Sequence, residues 1–190
     1  MNYFSKSHVF LYSVILIGIF VLYKTVSLPY HGVITVKVSQ QKGAIHTIDT
    51  LRTLHPISRT FSIDKLKFPH SKTLSHDRLG MLGFSNNFFI DAQVNMEVHQ
   101  KGLYMFRVSS DDGFRLTMDN VLICEHIKDR PYQTTTCKVN ISEGNHLFDL
   151  DYFQGGGPLG LYVQYSKDKK TFYDLGEDTD MITFKEVKHD

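Results

Sequence analysis

Two adjacent carboxylates, Asp111 and Asp112, are the side chains best suited to chemistry in this sequence. They follow Gly102–Val108, where apolar and other residues alternate as they do in a strand with one buried face. Alternation resumes in Phe114–Asp119. The Asp-Asp-Gly113 sequence between them favours a turn, because Asp tolerates turn geometry and Gly adopts a positive φ at little cost. The pattern therefore predicts that the two carboxylates lie at the tip of a hairpin between paired strands.

A pair of carboxylates at a loop tip offers oxygen ligands to a hard cation such as calcium, which takes several of them. A second interpretation is that Asp111 and Asp112 only form the turn, by accepting hydrogen bonds from nearby backbone N–H groups. A glycosidase pair is disfavoured, because its two carboxyl groups must face each other across a sugar, roughly 5 to 9 Å apart. The sequence has no nucleophile elbow, phosphate loop or dinucleotide fingerprint, so we predict no catalytic residue and no enzyme.

The sequence has 2 cysteines, Cys124 and Cys137, on two predicted strands that flank a loop. In an oxidising compartment they would form a disulfide that stabilises the fold by about 3 kcal/mol, whereas two buried thiols are the alternative. Because the sequence lacks a Cys-x-x-Cys motif and closely spaced histidine pairs, we do not expect zinc.

The overall composition excludes several classes of protein. Lys and Arg number 21 against 20 Asp and Glu, and such a near-neutral chain has no general electrostatic attraction for nucleic acid. Aromatic residues make up 13% of the 190 residues, which suits the pleated core of an all-β domain and excludes a disordered chain.

An apolar run near the N-terminus predicts a single membrane-spanning helix within residues 1–28. His8–Ser27 supplies the roughly twenty residues that a spanning helix needs. A cleaved secretory signal is the alternative, because Thr25-Val26-Ser27 has the small-x-small pattern of a cleavage site. Either interpretation places the body outside the cytosol, facing the periplasm or the cell exterior, and we favour a retained anchor.

The remainder of the chain reads as one β domain. Residues 29–57 are predicted to be a linker or a first strand, and residues 58–190 a β-sandwich. Within the latter, residues 59–83 are polar and predicted to form loops, and Phe88–Val98 is predicted to be a central strand. Short alternating runs at eight-to-twelve-residue spacing, without a helical stretch after the N-terminal run, predict an all-β, antiparallel sandwich.

Two of these segments carry a family resemblance. Gly102–Asp119, with its Asp-Asp turn, and the glycine-rich Asp151–Tyr165 resemble the PA-fourteen domain, named for the fourteen-kilodalton piece of anthrax protective antigen. The resemblance covers roughly residues 61–166. It implies a jelly-roll-like β-sandwich that serves as an accessory binding module and not as an enzyme.

The resemblance also implies a ligand site. In sugar-binding members the matching Asp-Asp pair holds calcium with help from a second loop, and the metal coordinates sugar hydroxyls. Here that loop is residues 154–160. It lacks the Asn that the fungal members contribute. The available substitutes are the side chain of Gln154 and the backbone carbonyls of three consecutive glycines: Gly155, Gly156 and Gly157.

Together these features predict a membrane-tethered, extracytoplasmic module that binds carbohydrate through calcium at Asp111 and Asp112. The alternative is a structural or assembly protein that contacts another envelope protein, without metal, through the sandwich face or residues 28–56. A third hypothesis is an accessory subunit of a surface carbohydrate-active enzyme.

Overall fold

The computed structural model describes residues 12–20 and 32–187. The chain divides into two compact units, Met1–His31 and Gly32–Asp190. In the first unit, residues 12–20 form a helix with exposed apolar side chains. Within the described ranges, no helix combines the length and apolar character needed to cross a membrane. Most of the membrane helix predicted within residues 1–28 lies outside the described residues.

The second unit is an antiparallel β-sandwich. Within the described residues its strands are β1 (Ile34–Gln41), β2 (Leu54–Ile63), β3 (Lys67–Ser71), β4 (Ser75–His76), β5 (Gly80–Met81), β6 (Phe88–Val98), β7 (Gly102–Asp111), β8 (Phe114–Met118), β9 (Val121–His126), β10 (Gln133–Ile141), β11 (Gly144–Gln154), β12 (Leu159–Ser166), β13 (Tyr173–Asp174) and β14 (Ile182–Lys185). We call the sheet ordered β2-β1-β6-β11-β8-β9 the first sheet, and that ordered β10-β7-β12-β13 the second. β14 adds to β6, and β3 to β12.

The prediction of a central strand at Phe88–Val98 is confirmed. β6 pairs with β11 along its whole length on one side and with β1 and β14 on the other. Its side chains alternate between the buried core and the partly exposed outer face. This is the pattern that one buried face imposes on a strand.

The core lies between the two sheets and is rich in aromatic rings. Phe148 of the first sheet packs against Phe106 of the second, with ring centroids 5.7 Å apart. Both rings are fully buried, and burying a side chain of this size contributes about 1.5 to 3 kcal/mol. A smaller cluster lies apart from this core and covers one end of the first sheet: Ile45, Ile48, Phe89 and Phe153.

The prediction of a hairpin at the acidic pair is wrong. β7 pairs with β10 and β12 in the second sheet, whereas β8 pairs with β11 and β9 in the first. The chain therefore crosses from one sheet to the other at Asp111–Asp112. Both strands bury one face in the same core. Each therefore has the alternating sequence pattern that suggested a hairpin, although the two strands lie in different sheets.

The assignment of residues 59–83 to loops also needs correction. This polar segment contains the second half of β2 and all of β3, β4 and β5. β2 is an edge strand of the first sheet, and most of its side chains are exposed, so it lacks the apolar face that reveals a half-buried strand.

The predicted disulfide is present. Cys124 in β9 bonds to Cys137 in β10, with a Cα–Cα separation of 5.9 Å. Because β9 belongs to the first sheet and β10 to the second, the bond joins the two sheets beside the loop that connects these strands.

Candidate functional site

The acidic pair is buried at the crossing between the sheets. Asp111 is the last residue of β7 and pairs with Gly160 of β12. Asp111 is 6% exposed and Asp112 is 5% exposed, so the carboxylates do not project from a loop tip. The peptide bond between them is cis. The hydroxyl of the buried Tyr152 donates to the carbonyl of Asp111, and this contact fixes the backbone from below.

Gly113, which follows the pair, is required for close packing and not for a positive φ. A Cβ at this position would lie 2.5 Å from the carbonyl oxygen of His126 and 2.5 Å from the ring of Phe153. The residue is absent from the positive-φ positions of the described chain. The prediction that Gly113 supplies a positive φ is therefore wrong, and the glycine is needed because its neighbours leave no room for a side chain.

Asp112 joins two segments that are distant in sequence. Its Oδ2 accepts a hydrogen bond from the backbone N–H of Gly155 at 2.8 Å, and its Oδ1 accepts one from the N–H of Arg130 at 3.2 Å. The glycine-rich turn and the β9–β10 loop therefore meet at this carboxylate. Each oxygen keeps a lone pair for a further partner.

Asp111 faces a different set of groups. Its Oδ2 lies 3.4 Å from Nε2 of His70, and the backbone N–H of Tyr132 donates to its carboxylate. Burial raises the pKa of Asp111 above its ordinary value, although His70, Tyr132 and the positive charge of Arg130 all act to lower it.

The pKa of Asp112 is raised for the same main reason. Burial has the largest effect, and the negative charges of Asp111 and Asp129 add to it. The N–H groups of Gly155 and Arg130 oppose this rise without cancelling it. Both ionised carboxylates are thus withdrawn from water with incomplete compensation, which is the condition in which a nearby cation is most stabilising.

Arg130 supplies the positive charge behind the pair. Its Nη1 donates to Thr135 at 2.8 Å and its Nη2 donates to Ser110 at 2.8 Å. The guanidinium lies over the ring of Phe114, 5.4 Å from the centroid, and burial lowers its pKa. Both of these hydrogen bonds go to hydroxyl groups, so they do not pair the guanidinium with a carboxylate. The side chains of Asp111 and Asp112 therefore keep acceptor capacity.

The four predicted residues of the glycine-rich turn have different positions. Gln154 is fully buried, where its Oε1 lies 2.7 Å from the Tyr152 hydroxyl and its Nε2 donates to the carbonyl of Pro158 at 3.1 Å. A Cβ on Gly155 would lie 2.3 Å from the carbonyl oxygen of Ile45, so this glycine permits a close backbone approach. Gly156 borders open space, and Gly157 has a φ of +84°.

These elements enclose one side of a cleft of about 530 Å³. The cleft is lined by His70, Asp111, Asp112, Asp129, Arg130, Pro131, Tyr132, Gly156 and Pro158. It combines carboxylate oxygens with an aromatic wall. In the described part of the chain, no group of three or more His, Cys, Asp and Glu side chains is arranged to hold a metal ion. A cation here would depend on the two carboxylates together with carbonyl or ligand oxygens.

The cleft contains residues that the sequence did not predict for the site, among them His70, Arg130 and Tyr132. His70 lies in the segment predicted as loops, and no prediction singled it out. Arg130 and Tyr132 lie in the loop between β9 and β10. An aromatic residue next to proline in a polar loop was the one local signal that could have indicated Tyr132.

Comparison with known proteins shows which fold this is. Scans of the sequence find no match among protein-family models or among curated proteins. Among solved structures, the PA14 domain of the MpAFP antifreeze protein is similar with a TM-score of 0.64 at 18% identity, over 82% of this chain and 91% of that one.

Two further structures agree. The PA14 sugar-binding domain from an RTX adhesin has a TM-score of 0.58 at 16% identity, over 77% of this chain and 95% of that one. The Epithelial Adhesin 9 A domain from Candida glabrata, in complex with Galβ1-3GlcNAc, has a TM-score of 0.57 at 10% identity, over 82% and 91%. The chain therefore has the fold of PA14 domains, as its motifs predicted.

Proposed function

We propose that this chain is a carbohydrate-binding module whose ligand binds in the cleft at Asp111 and Asp112. The observation that carries the proposal is the meeting of both carboxylates, the glycine-rich turn and the β9–β10 loop at one cleft. Two of the structural neighbours are described as a sugar-binding domain and an adhesin domain in complex with a disaccharide, which supports a binding role over catalysis.

We further propose that the acidic pair binds calcium. The buried carboxylates with raised pKa values fit a hard cation, because each retains acceptor capacity and their charge is not fully compensated. Bound calcium would supply coordination positions for sugar hydroxyls. Asp111 and Asp112 would hold it, and the carbonyls of the glycine-rich turn are the nearest further candidates. With two carboxylates, we expect a dissociation constant on the order of 1 mM.

Calcium titration followed by thermal melting tests this proposal. At about 10 mM calcium, preferential binding to the folded state should raise the unfolding midpoint of the intact chain by about 3 to 5 °C. An Asp111→Asn, Asp112→Asn variant should lose this increment. The matched control is Asp77→Asn, Asp180→Asn, which removes the same charge from two exposed positions and should keep the increment. Equal increments in both variants would contradict a site at the acidic pair.

We also propose that residues 1–28 tether the body to a membrane and that the body faces away from the cytosol. The apolar composition of His8–Ser27 supports a tether. The disulfide between Cys124 and Cys137 supports an oxidising compartment, because cytosolic thiols are kept reduced.

A further inference from the structure

An aromatic pair lies beside the acidic pair in the cleft. The rings of His70 and Tyr132 stack with centroids 4.8 Å apart and an angle of 22° between their planes. Both residues remain accessible, since Tyr132 is 39% exposed and the His70 side chain is 46% exposed. The pair therefore presents an accessible aromatic surface at the border of the polar cleft.

The position of this pair is fixed from three directions. The backbone N–H of Tyr132 donates to the carboxylate of Asp111, and Nε2 of His70 lies 3.4 Å from the same carboxylate. Beneath them is Gly160, where a Cβ would lie 2.8 Å from the Tyr132 ring and 3.2 Å from Cα of His70. Glycine here lets both residues lie against the backbone of β12. The ring is therefore held in place before any ligand arrives, which reduces the entropy lost on binding.

The cleft thus presents two kinds of surface side by side. The carboxylates of Asp111 and Asp112 can bind hydroxyl groups, directly or through a cation, whereas the Tyr132 ring offers an apolar face with partial negative charge. A pyranose has the matching pair of surfaces, because its hydroxyl groups project from the rim and its C–H bonds line the faces of the ring.

We infer that Tyr132, supported by His70, is the surface against which the C–H face of a bound pyranose packs, and that it determines which sugars the cleft accepts. This inference rests on the proposed function, since it assigns a second contact to the same ligand. It makes Tyr132 a binding residue and His70 a positioning residue that keeps the ring in place.

Saturation-transfer NMR on the intact chain in millimolar calcium tests the inference. The probes are the methyl glycosides of galactose, glucose, mannose and N-acetylglucosamine. For any glycoside that the wild type binds, Tyr132→Ala should weaken binding by about tenfold, a typical effect of removing an aromatic contact. Tyr132→Phe keeps the ring and should bind within about threefold of the wild type. His70→Ala should lie between the two variants.

The calcium-induced rise in the unfolding midpoint separates the possible outcomes. We expect Tyr132→Ala to keep this rise, because the carboxylates remain. If Tyr132→Ala binds the glycoside as well as the wild type, the inference is overturned and the proposed function stands. If Tyr132→Ala loses the calcium response together with the sugar, its role is structural, and the inference fails. If Tyr132→Phe is as weak as Tyr132→Ala, the hydroxyl and not the ring makes the contact, which also overturns it. A wild type that binds no glycoside would refute the proposed function itself.

Discussion

At the scale of single residues, this sandwich places acidic side chains close together at two sites. Asp111 and Asp112 are buried at the cleft, and a second group lies on the outer face of the first sheet. There Asp91 and Asp151 are register partners on β6 and β11. Arg52 donates to Asp91 at 2.6 Å and lies 3.3 Å from Asp151. One guanidinium shared between two carboxylates leaves the pair short of positive charge.

The second group makes a testable contribution to the pH dependence of stability. Burial, a hydrogen bond with Asp91 and the charge of Asp91 raise the pKa of Asp151 from 3.8 to about 6. Between about pH 4 and pH 6 the folded chain retains a proton that the unfolded chain has released. The contribution of Asp151 to the free energy of unfolding therefore falls as pH rises through this window.

An Asp151→Asn variant should lack this contribution, so its stability relative to the wild type should increase from about pH 4 to about pH 6 and then level off. Urea denaturation across this range measures the difference. Asp180→Asn, at an exposed position, is the control and should follow the wild-type slope. A constant difference between Asp151→Asn and the wild type over the whole range would show that Asp151 titrates normally.

Two glycines of the glycine-rich turn allow another comparison of single residues. A Cβ on Gly155 would lie 2.3 Å from the carbonyl of Ile45, whereas a Cβ on Gly156 would meet nothing within 4 Å. Gly155→Ala should lower the free energy of unfolding by about 1 to 3 kcal/mol and weaken the calcium response, because the N–H that binds Asp112 must move. Gly156→Ala should stay within about 0.5 kcal/mol of the wild type. Chemical denaturation of both variants checks this, and similar losses in both would contradict it.

At the scale of elements, the site is formed by loops that support one another. The segment between β1 and β2 packs over the first sheet through Ile45 and Ile48, which contact Phe89 and Phe153. The backbone N–H of Ile48 donates to the carbonyl of Ile127 at 2.8 Å, and that of Asp129 donates to the carbonyl of His46 at 3.2 Å. The β9–β10 loop, which carries Arg130 and Tyr132, is therefore held on one side by this segment and on the other by the disulfide.

Removal of the disulfide should therefore affect both stability and the site. A Cys124→Ala, Cys137→Ala variant should lose about 3 kcal/mol in the free energy of unfolding, since the bond closes a short loop. Its calcium response should also weaken, because Arg130 and Tyr132 lie within the released loop. Denaturation of the wild type with and without a reductant gives the same comparison, and the variant itself should be insensitive to reductant. A reduced wild type with unchanged stability would show that the sheets do not need this bond.

At the scale of the whole molecule, Gly32–Asp190 is a unit with its own core. The buried residues described for this core lie between Ile34 and Phe184. The residues that line the cleft at Asp111 and Asp112 also belong to this unit.

A chain that begins at Pro29 tests both the autonomy of this unit and the proposed tether. It should unfold at the same midpoint as the full-length chain, within about 2 °C, because its core is complete. In vesicle flotation, the full-length chain should rise with the lipid and the shortened chain should stay in the aqueous fraction. A full-length chain that remains in the aqueous fraction would refute the tether, and a lower midpoint for the shortened chain would refute autonomy.

Local pattern was sufficient to determine much of this protein. The alternation in Phe88–Val98 depends on neighbouring residues alone, and it correctly predicted a strand at the centre of a sheet. The all-β class, the disulfide and the resemblance to PA14 domains were likewise available from the residues themselves. Each of these features leaves a short-range signature, because strand periodicity, cysteine positions and turn motifs are properties of contiguous sequence.

The tertiary structure decided which strands pair and which side chains meet. The alternating pattern predicts that β7 and β8 each have one buried face. Strands paired in one hairpin and strands in two facing sheets both meet this condition. The crossing at Asp111–Asp112 therefore could not be predicted from the local sequence. His70 and Tyr132 approach each other across more than sixty residues because β3, β7 and the β9–β10 loop converge at one end of the second sheet. The side chain of Gln154 has polar groups that could bind a ligand, but it is buried, since its position on β11 directs it towards Tyr152. The sequence alone therefore determined the all-β class, the central strand and the acidic pair, and long-range packing determined the cleft around that pair.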